Sequence, residues 1–124
     1  MAKKFNINWK SSKKPTKQRK YEHNAPLHIR SAIMSSHLSA ELRKKTGRRS
    51  LPIRKGDKVK IERGSHKGKI GKIEDVDRKY LKVYIEKIEI TKKDGSKAKL
   101  PIETSNLTIL ELNTEDKRRI KEKK

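Results

Sequence analysis

The sequence predicts a mainly β protein: a small, partly open barrel of short strands, with a basic N-terminal arm, short N-terminal helices and a short C-terminal helix or tail. Three observations carry that expectation. Between residues 51 and 112, apolar residues alternate with charged ones in short runs, the period of a strand whose side chains point to opposite faces. Polar turns separate these runs, and the five or six strands they delimit are more than an isolated hairpin needs. Only 30% of the 124 residues are apolar and 4% aromatic, enough for one small core with extensions rather than a core spanning the chain.

Residues 1–23 form the arm. They hold Lys3, Lys4, Lys10, Lys13, Lys14, Lys17, Arg19 and Lys20, with Phe5, Trp9 and Tyr21 interspersed, and show neither a helical nor an alternating apolar period. Such an arm can neutralise phosphates, and Trp9 or Phe5 can stack on an unpaired base or wedge into a groove. A solvated tail is the plain alternative.

Residues 24–50 read as short helices packing beside the barrel. Asn24 is placed as an N-cap, Pro26 is tolerated in the first turn, and Leu27, Ile33 and Met34 make a partial apolar stripe. The pair Ser35-Ser36 interrupts it. A second helix runs from Ser39 to Lys45 and stops at Gly47, a residue suited to a C-terminal cap. Leu38 and Leu42, four apart, are expected to share a helix face. Docking on the barrel explains these apolar residues better than a ligand does. Arg30, Arg43, Lys44, Arg48 and Arg49 differ, because clustered guanidinium forks suit phosphate recognition.

Residues 51–112 hold the core. Val59 and Ile61 share one face of a strand with Lys58 and Lys60 on the other, and Gly71 and Ile73 oppose Lys72 in the same way. Between them Arg63, Gly64, Ser65, His66, Lys67, Gly68 and Lys69 form a turn crowded with cations, whose glycines permit positive φ or close backbone approach to a partner. Leu81, Val83 and Ile85 then alternate. Ile88 and Ile90 precede a turn at Lys93-Asp94-Gly95-Ser96, where Asp-Gly is a hairpin signal. Leu100, Ile102, Leu107 and Ile109 complete the series. The expected core is Val59, Ile61, Ile73, Val83, Ile85, Ile88 and Ile109, with Val76, Leu81 and Ile90 at turns where the register can slip. Residues 113–124 open with Thr114 as an N-cap and Glu115 and Asp116 in a first turn, then become basic at Lys117, Arg118, Arg119 and Lys121. That polarity complements a helix dipole.

Charge narrows the function. Lys and Arg number 36 against 15 acids, a net +21 that favours polyanionic partners and opposes homo-oligomers. Residues 1–50 carry 14 basic and 2 acidic groups, so the excess is greatest there. Cysteine is absent, which excludes disulfides and thiolate metal sites. No apolar run approaches ~18 residues and no signal-peptide h-region is present, so the expectation is a soluble intracellular protein without membrane insertion.

Enzymatic motifs fail on spacing. Gly64 to Ile70 has its glycines one residue short of a P-loop, and Ile70 stands where Ser or Thr should hold magnesium. The glycines at 64, 68 and 71 do not fit a dinucleotide fingerprint. His23, His28, His37 and His66 are scattered, so neither metal nor cofactor is expected. Glu74, Asp75 and Asp77 lie among Lys72, Arg78 and Lys79, where solvated ion pairs account for them better than acid/base catalysis. The sequon Asn106-Leu107-Thr108 has no secretory signal to give it meaning.

The segment Gly56, Asp57, Lys58, Val59, with Gly64, Lys67, Gly68, Gly71, Lys72 and Ile73, resembles a KOW motif, shared by certain ribosomal proteins and transcription elongation factors. The likeness extends upstream through His28, Ile29, Arg30, Ile33, Met34, Ser35, Ser36, Leu38, Ser39, Glu41, Leu42 and Arg43 to Arg49, Ser50, Leu51, Pro52, Ile53, Arg54 and Lys55. That string is similar to the archaeal and eukaryotic form of the KOW-containing large-subunit ribosomal protein, the universal family numbered twenty-four in bacteria. The resemblance covers roughly residues 20 to 122. It implies an SH3-like barrel and a cytoplasmic, ribosomal structural protein that binds large-subunit ribosomal RNA near its 5′ region. It further implies a part in early subunit assembly, a position near the nascent-chain exit, and neighbouring large-subunit ribosomal proteins as partners.

The candidate RNA-binding residues are Lys13, Lys14, Arg19, Lys20, Arg30, Arg43, Arg48, Arg49, Arg54, Lys55, Arg63, His66, Lys67, Lys69 and Lys72, with Gly64, Gly68 and Gly71 as loop glycines. Specificity is expected from RNA shape more than from base edges. Three rival readings exist. A KOW-bearing transcription factor would usually carry another folded domain beside the KOW module. A nonspecific packager explains the charge but not the ordered string from His28 to Lys55, and a small hydrolase has no supporting constellation.

Overall fold

In the computed structural model the described residues are 5–120, so Lys3, Lys4 and Lys121 of the expected arm and tail lie outside them. Among the described residues three α-helices precede or separate the strands: α1 (Pro15–Asn24), α2 (Leu27–Ile33) and α3 (Ala40–Thr46). The strands are β1 (Ser35–Leu38), β2 (Ser50–Pro52), β3 (Lys58–Ile61), β4 (Ile70–Asp77), β5 (Lys82–Ile85), β6 (Glu89–Thr91), β7 (Lys97–Lys99) and β8 (Leu107–Glu111). Six form one sheet in the order β2-β1-β8-β3-β4-β5, while β6 and β7 pair apart as a hairpin. Strand accounts for about 30% and helix for about 28%, which makes the protein mixed rather than mainly β, and the sheet does not close into a barrel. At its β5 edge only a single bridge forms, in which Val83 and Ile102 exchange both backbone hydrogen bonds at 2.9 Å.

The excess helix has a simple origin. α1 buries none of its residues, so no apolar stripe marks it in the sequence. Pro15 in its first turn and the run of Lys, Gln and Arg that follows favour the helix by propensity instead. Asn24 ends this helix rather than capping the next one, and Pro26 occupies the N-cap position of α2. The Ser39–Lys45 helix forms as α3: the Ser39 hydroxyl accepts from the Leu42 N–H at 3.4 Å, and Gly47 closes it at φ 66°.

Ser35-Ser36 does more than interrupt a helix, because it begins β1. Leu38 is therefore a strand residue, wholly buried and paired in parallel with β8 opposite Ile109, and it does not share a helix face with Leu42. Leu42 packs on the core from α3. All seven expected core residues are buried, joined by Met34, Leu38, Leu51, Ile53, Ile102 and Leu107. Val76 and Leu81 are half-buried, and Ile90 is exposed on β6. Residues 112–120 run through bends and turns, with no helix among the described part of the tail.

The expected hairpin is β3 and β4, with Lys58 opposite Lys72, Val59 opposite Gly71 and Lys60 opposite Ile70. Gly71 lies in β4, outside the turn. A Cβ there would stand 2.7 Å from Ile85 Cγ2 and 3.3 Å from the Glu86 carbonyl, so glycine is what lets the end of β5 approach β4 closely.

Candidate nucleic-acid interface

The β3–β4 turn is held by its own backbone. The Gly68 N–H donates to the Ile61 carbonyl at 2.7 Å, Lys67 to Gly64 at 3.2 Å and Lys69 to His66 at 3.1 Å. Gly64 and Gly68 adopt φ of 100° and 89° with open space around both, so the turn needs them for conformation, not for packing. Glu62 donates its N–H to Asn106, tying the base of the turn to the residue before β8. Arg63, Lys67 and Lys69 are exposed, His66 is half-buried, and Lys69 Nζ lies 3.1 Å from His66 Nδ1. A turn pinned in this way fixes the backbone from which its cationic side chains project, and a preformed backbone costs less ordering entropy in any binding event.

The other candidate cations fall into separate groups. Lys13, Lys14, Arg19 and Lys20 are exposed on or just before α1. Arg43 and Arg49 are exposed at α3 and before β2, with Arg48 half-buried between them. The register sends α3 away from the turn: β1 runs parallel to β8 and α3 continues past Ile109, whereas the turn leaves from the Leu107 end of β8. The cations of α3 and those of the turn thus lie toward opposite ends of β8 instead of forming one patch. Lys72 is exposed on β4, and Arg43 keeps Nε on the Leu38 carbonyl at 2.9 Å.

Arg30 is committed to the fold. Its guanidinium donates to the carbonyls of Ala25 at 2.9 Å, His23 at 2.7 Å, Arg78 at 3.0 Å and Lys79 at 2.7 Å. That fork locks the end of α1 to the β4–β5 turn and leaves little for a phosphate. Arg54 pairs with Asp116 at 2.8 Å and Lys55 with Asp75 at 2.9 Å. These partners hold both carboxyls below their ordinary value of 3.8, mainly through the side-chain hydrogen bonds from Arg54 and Lys55. Both pairs are exposed and screened by solvent, so each holds its cation only weakly.

Sequence reasoning gave no site role to Asp57 and Arg119, which the fold brings together as a buried ion pair. They stand 62 residues apart, so no local spacing could have joined them.

An open sheet with a backbone-pinned cationic turn and flanking basic helices makes a small, strongly basic structural module, whose charge favours polyanions. The family of ribosomal proteins described as L26 in eukaryotes and L24 in archaea matches residues 12–123. Large ribosomal subunit protein uL24 of Methanosphaera stadtmanae is 48% identical over 108 residues, which cover 87% of this chain and 92% of that protein. The chain belongs to this family of large-subunit ribosomal proteins, and so is a structural component of the cytoplasmic translation machinery rather than an enzyme. No helix among the described residues is long and apolar enough to cross a membrane.

Proposed function

We propose that this chain binds large-subunit ribosomal RNA as an early assembly protein near the nascent-chain exit, where it adjoins other large-subunit proteins and stays monomeric before assembly. In this reading the six-stranded sheet is an SH3-like KOW module. Residues 1–23 act as a basic arm, 24–50 as helical packing beside the module at 51–112, and 113–124 as a basic tail. The observation that carries the reading is the backbone-pinned turn bearing Arg63, His66, Lys67 and Lys69. Family membership supports the partner, and the net charge of +21 supports the mode of binding.

Binding to fragments of large-subunit ribosomal RNA, unrelated RNA of equal length and duplex DNA, at several salt concentrations, tests the reading. One fragment should bind tightly and survive high salt, whereas equal and steeply salt-sensitive binding to all three would leave only a general polyanion binder. The double variant Arg63→Ala, Lys67→Ala should keep its fold and reduce the log–log salt slope by about 1.4 to 1.8, the value of two lost phosphate contacts at 0.7 to 0.9 each. An unchanged slope with an intact circular dichroism spectrum would remove the turn from the interface.

A further inference from the structure

Three of the chain's five aromatic residues gather where the main core does not reach. Phe5, Trp9 and Tyr21 line one cavity of about 180 Å³, and none belongs to the core cluster. The Phe5 and Tyr21 rings lie 4.9 Å apart between centroids and are tilted by 49°. The remaining walls include Lys17, Lys20 and Asn24, with Lys17 Nζ 3.8 Å from the centre of the Trp9 ring.

This arrangement is built. The 3-10 turn Ile7–Ser11 is capped by the Asn6 side chain, which accepts from the Asn8 N–H at 2.9 Å. Gln18 on α1 donates to the Ser12 carbonyl at 2.9 Å, folding the turn back along the helix. Trp9 nevertheless remains 47% exposed. Trp9 and Tyr21 face aliphatic side chains on one side, in a second cavity that includes Ile7, Ile29 and Ile33, whereas on the side of this cavity the walls beyond the rings are the polar side chains of Asn6, Lys17, Lys20 and Asn24. Flat π faces beside cations match a ligand that is aromatic at one end and anionic at the other. The volume is below the ~300 Å³ typical of sites for drug-sized molecules, which fits a single ring system and not a peptide segment or a duplex. Phe5 and Trp9 precede the family-matched segment, which begins at residue 12, while Lys17, Lys20, Tyr21 and Asn24 lie within it.

We propose that the cavity takes one unpaired nucleotide of RNA. The base stacks on the exposed indole of Trp9 and against Tyr21, beside the Phe5–Tyr21 ring pair and in the place where Lys17 Nζ now rests on the indole; Lys17 and Lys20 then meet the flanking phosphates, and the Asn24 amide is available to a base edge. This rests on the RNA-binding reading above and adds to it a base-dependent contact that phosphate neutralisation does not supply.

Trp9 is the only tryptophan, so its emission reports on this site alone. The full chain is titrated with a single-stranded RNA oligonucleotide, a duplex RNA of the same sequence, and inorganic polyphosphate of matched charge. Saturable quenching by the single strand, persisting at salt that releases polyphosphate, is the expected result, with little quenching by the duplex. Tyr21→Ala should weaken that response about 5- to 150-fold, the range of losing one base–aromatic stack, while Tyr21→Phe retains it. Equal quenching by polyphosphate, or no change with the single strand, would overturn the proposal. So would an unaltered response in Tyr21→Ala. Filter binding to a ribosomal RNA fragment, run in parallel, separates the two readings: retained fragment binding without quenching defeats only the nucleotide site.

Discussion

Asp57 is wholly buried, and every acceptor position on its carboxylate is claimed. Both terminal nitrogens of Arg119 donate to it, and the N–H groups of Arg54 and Asn113 add bonds at 3.1 Å and 2.8 Å. Arg119 also donates to the Asn113 carbonyl at 3.1 Å and the Pro52 carbonyl at 3.0 Å, leaving only its Nε without a partner among the described residues. Two ions out of water are tolerable only with this degree of pairing, and removing one strands the other in a low dielectric. Asp57→Ala should therefore cost about 3 to 5 kcal/mol in urea unfolding, a large part of a small domain's stability. Adding Arg119→Met should recover more than half of that loss, because a flexible apolar side chain replaces the orphaned charge. A loss below ~1 kcal/mol in the single variant would show that water reaches the pair.

Elements were legible in the sequence where burial imposed a period and obscure where it did not. β3 and β5 alternate strictly, and their core residues follow from that alone, whereas β4 keeps the alternation around Ile73 and loses it past the irregularity between Ile73 and Asp75. β1 reads Ser-Ser-His-Leu, with a buried serine whose hydroxyl donates to the Thr104 carbonyl; pairing with β2 and β8 makes a strand of it, and no local apolar period announces that pairing. Arg30 resembled its exposed neighbours for the same reason, since the carbonyls it serves on the β4–β5 turn are far off in sequence. α1 was obscure because it buries none of its residues, so no apolar face imposes a period. Its exposure makes it the cleanest element to test: Lys13→Ala, Lys14→Ala, Arg19→Ala and Lys20→Ala together replace exposed cations with the best helix former. Helicity should hold while the salt slope of RNA binding falls by about 3, the sum for four contacts. An unaltered slope would make the segment a solvated appendage.

The whole molecule carries +21 on 124 residues, so free and bound states should answer salt in opposite directions. In the free protein, 36 cations face 15 acids, and the ion pairs Lys55–Asp75, Lys82–Glu103 and Lys99–Glu74 neutralise only a few of them. Mutual repulsion then opposes the compact state. Raising ionic strength from ~0.1 M to ~1 M shortens the screening length from about 10 Å to about 3 Å, which weakens repulsion across the sheet more than contact pairs near 3 Å. Each kcal/mol of repulsion screened should raise the melting temperature by about 4 °C. RNA binding loses affinity over the same range, because the counterions that phosphates release on binding return to a solution already rich in them. Thermal melts and binding isotherms in one series of sodium chloride buffers check both slopes. A melting temperature that falls with salt would mean that the ion pairs, and not the excess of cations, dominate the field of the free protein, and the folded state would then owe nothing to charge neutralisation by RNA.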